Sequence, residues 1–238
     1  MNYESNLKKY AVLFVALFLL SLCACTSGGG QDETPITPSA SSTNNETQST
    51  QPDAPQTSPD ETPTTVSGKL TVTFDYEKQS GHGSNQFAAW IEDADGKLIK
   101  TLYATKFTAG GGYKNRPDSI PVWVEKSGLA SLQKSDVDAI TGATPKAGNL
   151  SYDWDCKDAD GNPVFPGQYA FMLEGTLRGK NQVLYTGEIE IGDSPETADA
   201  TAEYTYEAAD NYPALTADSP ENSMIDGVTA HFTPAAGN

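Results

Sequence analysis

The sequence predicts an all-β domain, a β-sandwich with a short helix and long loops, preceded by a tether that does not fold. Short stretches of alternating apolar and polar residues recur through the last two thirds of the chain, and turns rich in Gly and Asp separate them. One short stretch, residues 129–138, is the best candidate for a helix. Strands at this spacing with so little helix are typical of a β-sandwich.

Residues 1–24 are predicted to be a lipoprotein signal peptide. Two lysines precede an apolar run that ends at Leu22, and the run is too short to cross a bilayer comfortably but suits a signal-peptide core. The sequence Leu22-Cys23-Ala24-Cys25 then resembles a lipobox. We therefore expect cleavage before Cys25, lipidation of Cys25, and a protein anchored at the cell membrane that faces the periplasm or the cell exterior. A plain signal peptide is the alternative.

Residues 25–66 are predicted to form a disordered tether, and residues 67–235 the folded domain. From Thr26 to Val66 the chain has no aromatic residue, Lys or Arg, and it is rich in Ser, Thr and Pro. Such a segment cannot bury enough apolar surface to offset the entropy lost on ordering. The formal net charge of the whole chain is −17, which argues against nucleic acid as a partner.

The first predicted strands lie between residues 70 and 105. Alternation from Leu70 to Tyr76 predicts a half-buried strand. The runs Asn85–Glu92 and Lys97–Thr105 flank Asp93-Ala94-Asp95-Gly96, and Asp-Gly between two such runs predicts a hairpin.

The middle of the domain is predicted to hold a loop and the helix. Glycines 110–112 and Arg116-Pro117 indicate a loop ahead of the segment Ile120–Val124. Apolar residues roughly one helical face apart predict a short helix over residues 129–138.

The C-terminal half predicts further strands around a Trp-Asp turn. A strand is expected to end at Trp154-Asp155, a second to begin at Tyr169, and a third to cover Val183–Ile191 after a turn at Gly179-Lys180-Asn181. Tyr204 and Tyr206 indicate an edge strand, and Met224–Thr233 a last strand that closes the sheet.

The stretch from Trp154 to Tyr169 resembles the immunoglobulin-like module of the flagellar hook-capping protein. That resemblance implies an immunoglobulin-like sandwich in which a hairpin follows the Trp-Asp. Cys156 stands where the pattern usually has Gly, which puts the conformation of the turn in question.

Residues 138–145, Asp138-Ala139-Ile140-Thr141-Gly142-Ala143-Thr144-Pro145, hold the one motif from which a modification can be read. It resembles the flavinylation sequence Asp-x-x-Ser/Thr-Gly-Ala-Thr of the flavin-carrying subunits of sodium-pumping NADH:quinone oxidoreductase and its ferredoxin-oxidising relatives. Asp138, Thr141, Gly142, Ala143 and Thr144 fill every fixed position. The resemblance implies that a flavin transferase joins the phosphate of FMN to the hydroxyl of Thr144.

The residue types of the motif suit an acceptor site. Gly142 and Ala143 keep bulk away from the hydroxyl, and Gly142 also permits a positive φ. Asp138 is expected to position the loop or a metal-bound FMN donor. For the flavin ring, Tyr152, Trp154 and Tyr113 are the expected aromatic neighbours.

Residues 68–235 also resemble a family of exported bacterial proteins catalogued as a domain of unknown function, number 2271. The resemblance covers Asn85–Asp93, the Arg116-Pro117 loop, Gly142–Pro145 and the Trp154–Tyr169 hairpin. Members look associated with flavin transferases and membrane electron-transfer proteins, so a membrane electron donor is the expected partner.

The sequence thus favours a covalent flavoprotein that carries electrons over a stand-alone enzyme. The alternative is a non-redox binding module of the cell envelope that holds a glycan or a protein. The sequence has two histidines, His82 and His231, which are too few for a histidine-based metal site. Its two Asp-x-Asp-Gly turns lack the spacing of a calcium loop.

Overall fold

The computed structural model of the chain describes residues 64–81, 83–209 and 211–236. The predicted signal peptide, Cys25, most of the predicted tether and His82 lie outside these residues.

The domain consists of two β-sheets with short helices on one side. One sheet has four strands in the order β5-β1-β10-β8, and the other has six in the order β4-β3-β2-β6-β7-β9. All pairs are antiparallel except β3 with β4. The strands are β1 Gly68–Tyr76, β2 Gln86–Asp93, β3 Leu98–Thr105, β4 Thr141–Gly142, β5 Gly148–Trp154, β6 Gly167–Arg178, β7 Asn181–Ile191, β8 Glu196–Asp199, β9 Thr201–Thr205 and β10 Ile225–Pro234.

The main hydrophobic core lies between the two sheets. Alternate residues of β1, β7 and β10 point into it, as the period of two in their sequences requires. Trp154 on β5 is 1% exposed and packs against Tyr169 on β6, with 5.3 Å between the ring centroids. The predicted sandwich fold is therefore confirmed.

A second core lies on the outer face of the six-stranded sheet. The segment between β3 and β4 folds over this face as helices α1 Lys106–Ala109, α2 Pro121–Lys126 and α3 Lys134–Ile140, with 3₁₀ turns at Gly112–Lys114 and Leu129–Ser131. We call residues 106–140 the helical insert. Trp123 of the insert packs with Trp90 of β2, and both side chains are fully buried. Because it is covered on both faces, β2 is buried along almost its whole length.

The predicted strands and turns are largely confirmed, with three differences, and the structure adds α1, α2 and β8, which the sequence does not predict. The chain reverses after Trp154, but β5 and β6 belong to different sheets, so the connection is an arch between the sheets that holds a small 157–163 turn. Strand β10 lies between β1 and β8 and does not close the edge of a sheet. The helix predicted over residues 129–138 is a 3₁₀ turn followed by α3.

Cys156 shows how the turn after Trp154 accommodates a residue other than Gly. Its φ is 56°, in the left-handed region that glycine adopts without strain. The thiol is fully buried. Burial raises the pKa of Cys156 to about 11, with a further contribution from Asp155. The turn after Trp154 therefore holds a non-glycine residue in the left-handed region, at the cost of backbone strain.

Candidate functional site

The motif Asp138–Pro145 lies where the chain passes from one sheet to the other. Thr141 and Gly142 form β4, the edge strand that pairs in parallel with the end of β3. Residues 143–147 then cross to Gly148, where β5 begins as the edge strand of the four-stranded sheet. We call residues 143–147 the acceptor loop. Thr144 is exposed in it, so its hydroxyl is open to another protein.

Tyr103 on β3 anchors the start of the acceptor loop. Its hydroxyl donates a hydrogen bond to the carbonyl of Ala143 at 2.8 Å, and the carbonyl of Gly142 is 3.3 Å away as a second acceptor. The Tyr103 ring stacks against Phe87 and Tyr152, with centroid distances of 5.0 Å and 4.8 Å. Burial raises the pKa of Tyr103 to about 12, so the hydroxyl stays protonated and able to donate at neutral pH.

Gly142 has a steric reason to be glycine. A Cβ at this position would lie 2.6 Å from Cε2 of Tyr103, closer than real Cβ contacts. Its φ is not in the positive region, so the conformational freedom expected of it is not used here. Gly142 lets the backbone of β4 pass directly over the Tyr103 ring, which brings its carbonyl within reach of the hydroxyl.

The exposed carboxylate of Asp138 faces cations near the acceptor loop. Lys134, one helical turn earlier, donates a hydrogen bond to it and is its ion-pair partner. The Asp138 pKa is lowered by that hydrogen bond first, and then by the charges of Lys134 and Lys106. Lys106 comes from the start of α1, so side chains from two elements of the insert converge on the motif. Thr141 is half-buried in β4.

The local charge differs in sign from that of the rest of the protein. Residues 106–146 contain six Lys or Arg and four Asp or Glu, whereas the remaining residues contain nine and 28. Lys106, Lys134 and Lys146 of this segment are exposed. A phosphodiester on Thr144 would therefore meet a locally cationic surface on an acidic protein, which suits an anionic group.

The three aromatic residues expected beside the flavin are not free to receive it. The Tyr152 ring packs against Tyr103 and Phe74 within an internal aromatic cluster. Trp154 is buried, and its Nε1 donates to the carbonyl of Lys157. Tyr113 is half-buried against the second core. The exposed aromatic ring at this end of the domain is Phe107, which sequence reasoning missed.

Glu174 holds the helical insert in place. It is fully buried on β6, and its carboxylate accepts the backbone N–H groups of Val122 (3.1 Å) and Trp123 (2.8 Å) at the start of α2. It thereby supplies acceptors to N–H groups that have no partner within the helix. Burial raises the pKa of Glu174 to about 7, although the two N–H bonds oppose the shift.

Two further buried contacts fix the insert to the sheet. The backbone N–H of Ile120, which has a φ of 43°, donates to Oγ1 of Thr176 at 2.8 Å. The hydroxyl of Thr108 on α1 donates to Oε1 of Gln86 at 3.1 Å and also contacts Ser119. Helices too short to be stable alone are thus held by polar groups of the strands beneath them.

The other candidate sites have structural explanations. Asp93 and Asp158 each accept two backbone N–H groups through Oδ1 within their own turns, as turn-forming aspartates do. His231 is exposed on β10, and its Nδ1 lies 2.8 Å from Oγ1 of Thr197. Within the described residues no group of three or more His, Cys, Asp or Glu side chains could hold a metal ion.

A family described as "Predicted periplasmic protein (DUF2271)" matches residues 68–208. No curated protein and no solved structure matches the chain. Within the part of the chain that the structure describes, none of the helices has the length and apolar character needed to cross a membrane.

Proposed function

The chain belongs to the DUF2271 family of predicted periplasmic proteins, and on that premise we propose that it is a lipid-anchored extracytoplasmic flavoprotein that carries FMN covalently on Thr144 for electron transfer. The flavin would accept electrons from a membrane protein and pass them to an acceptor outside the cytoplasm. The attached FMN supplies the redox chemistry, while the protein supplies the attachment point, the orientation and the charge around it.

One observation carries the proposal: the last threonine of the motif is exposed directly after a segment of backbone that is anchored to β3. Thr144 is exposed, whereas the backbone just before it is held by the Tyr103 hydroxyl through the Ala143 carbonyl. Gly142 leaves room for that anchor because a Cβ would collide with the Tyr103 ring. A hydroxyl on a fixed loop can enter the active site of a modifying enzyme with little loss of entropy.

The modification is a phosphoryl-group transfer to a hydroxyl. The bond that forms joins Oγ1 of Thr144 to the phosphorus of FMN. The bond that breaks joins this phosphorus to its leaving group in an activated donor such as a flavin dinucleotide, and the departing nucleoside monophosphate takes the bonding electron pair. The hydroxyl proton passes to a base of the flavin transferase. No oxidant or reductant is consumed.

Intact mass spectrometry of the full chain after co-expression with a flavin transferase tests the proposal. The wild-type protein should gain the mass of FMN less one water, with flavin absorbance that survives denaturation. Thr144→Ser keeps a hydroxyl and should still be loaded, whereas Thr144→Ala should not. Thr201→Ala removes another exposed threonine, on edge strand β9, and should load like the wild type.

Two results would reject the proposal that Thr144 carries FMN. A colourless wild-type protein beside a transferase that modifies a control substrate would reject it, and so would FMN that remains on Thr144→Ala. The non-redox binding module would then replace the electron carrier as the proposed function.

The lipid anchor has its own test. Because the lipobox resemblance places the acylated residue at Cys25, Cys25→Ala should leave the precursor unprocessed or release the protein into the soluble fraction. Cys23→Ala, two residues earlier, should be processed normally. Unchanged membrane attachment and processing of Cys25→Ala would reject the anchor without affecting the flavin proposal.

A further inference from the structure

We propose that Phe107, supported by Arg116, is the surface against which the isoalloxazine ring of the attached flavin lies. This inference rests on the proposed function and extends it, because it places the ring away from the residues beside which the sequence predicts it.

Strand pairing places Phe107 and Thr144 beyond the same end of the sheet. The parallel pairs of β3 with β4 are Ala104 with Thr141 and Thr105 with Gly142. Parallel strands run in the same direction, so the residues that follow Thr105 and Gly142 leave the sheet at the same end. Phe107 comes two residues after Thr105, and Thr144 comes two residues after Gly142. The ring of Phe107 is therefore within reach of a flavin that is tethered to Thr144 through its ribityl phosphate.

The Phe107 ring is fixed and yet open to solvent. It is 45% exposed, although the next two residues, Thr108 and Ala109, are buried. The backbone at Gly112 packs so closely against it that a Cβ there would lie 2.7 Å from Cε1 of Phe107. A large apolar ring held in this way already has its orientation, so a second aromatic system can stack on it with little ordering cost.

Arg116 adds a cation to this surface. Its guanidinium carbon lies 5.4 Å from the centroid of the Phe107 ring, in cation–π range. Its Nη2 donates to Oγ of Ser84 at 2.9 Å, which fixes the side chain to the segment before β2. A fixed cation beside the isoalloxazine ring stabilises the negative charge that the ring gains on reduction, against the acidic background of the domain.

Lys106 completes the arrangement on the side of the phosphate. It is exposed next to Phe107, and its ammonium interacts electrostatically with Asp138 of the motif. A phosphodiester on Thr144 is an anion in the same neighbourhood. The start of α1 therefore offers a cation for the phosphate and, at the next residue, an aromatic face for the ring.

Phe165 provides a matched control for Phe107. It is 52% exposed, and it and Phe107 are the large hydrophobic side chains that the described residues leave exposed. Phe165 precedes the start of β6. Phe107 lies near the other end of that strand, because Thr105, two residues before it, bonds to Gln86, and Gln86 pairs with Thr176 near the end of β6. The two rings lie at opposite ends of a strand, about 30 Å apart at the usual rise per residue.

Iodide quenching of the flavin fluorescence, measured on the full chain loaded with FMN, tests where the ring lies. Phe107→Ala should raise the quenching constant at least twofold and lower the fluorescence anisotropy, because the ring loses its cover. Phe165→Ala should match the wild type. Arg116→Gln should shift the midpoint potential of the flavin to a more negative value. Phe107→Leu keeps an apolar side chain and gives the same comparison if the alanine variant does not accept flavin.

The outcomes separate this inference from the function on which it rests. A wild-type protein without the FMN mass adduct would reject both the flavin on Thr144 and the placement of its ring. A loaded wild type, with unchanged quenching in Phe107→Ala or Phe107→Leu, leaves the flavin on Thr144 and overturns the placement. An equal rise of the quenching constant in Phe165→Ala also overturns the placement, because the effect would then not depend on which phenylalanine is removed.

Discussion

Replacing Gly142 with alanine should displace the acceptor loop, because the space for a side chain is already filled. The new Cβ would lie 2.6 Å from Cε2 of Tyr103, whereas ordinary contacts begin near 3.4 Å. Tyr103 packs against Phe87 and Tyr152 and has little freedom to move away. Overpacking of this kind costs about 1–3 kcal/mol. The shift also breaks the bond from the Tyr103 hydroxyl to the Ala143 carbonyl.

Urea unfolding and intact mass measure the two consequences of Gly142→Ala separately. We expect a loss of about 1–3 kcal/mol in the free energy of unfolding, and slower loading of Thr144 with FMN. Gly192→Ala is the matched control, since a Cβ there meets nothing within 4 Å and its φ is not positive.

A double-mutant cycle identifies the collision as the cause. In a Tyr103→Leu background the aromatic ring is gone, so Gly142→Ala should cost at least about 1 kcal/mol less than in the wild type. An equal cost in both backgrounds would refute the steric argument and would assign the role of Gly142 to its backbone conformation.

Three other predictions address the scaffold. Since the folded pKa of Glu174, about 7, is above its unfolded value near 4.5, the folded state binds the proton more tightly, and the stability from this group is full below pH 4.5 and lost as pH rises through 7. The free energy of unfolding of the wild type minus that of Glu174→Gln, measured by urea unfolding, should therefore decline by about 3 kcal/mol from pH 4.5 to 8. A constant difference would contradict this. The buried thiol of Cys156 should react with a thiol reagent at pH 8 only when the domain unfolds, and fast labelling of the native protein would contradict its burial. Limited proteolysis should trim the predicted tether up to about residue 65, because Val66 is buried and its N–H donates to the carbonyl of Val164; resistance of that segment would contradict the predicted tether.

The strands could be predicted from the sequence because their signals are local. In β7 every second residue from Asn181 to Ile191 is buried, as the alternation of its sequence indicates. The hairpin at residues 93–96 needs a positive φ at Gly96, and the Asp-Gly sequence there predicts such a turn. The three tryptophans are each no more than 1% exposed, so all three belong to the cores, including Trp154, one of the residues expected from the sequence beside the flavin.

Of the candidate site, only the motif at residues 138–145 could be predicted from the sequence. The residues that surround and support the motif are distant from it in the sequence. Tyr103 precedes Ala143 by 40 residues, and only the parallel pairing of β3 with β4 brings them together. Glu174 resembles any strand carboxylate in the sequence until the insert folds over it. Phe107 lies two residues beyond the predicted strand Lys97–Thr105, and the turn into α1 leaves its ring exposed.

The helical insert links the stability of the sandwich to the presentation of Thr144. Helix α3 leads directly into β4, so its position sets where the motif begins. The insert is held by buried polar contacts, of which the Glu174 carboxylate supplies two. Breaking them should loosen α1 and α3 together, and with them Phe107 and Lys106. Glu174→Gln should therefore lower the fluorescence anisotropy of an attached flavin, although Glu174 is fully buried beneath the insert whereas Thr144 and Phe107 are exposed.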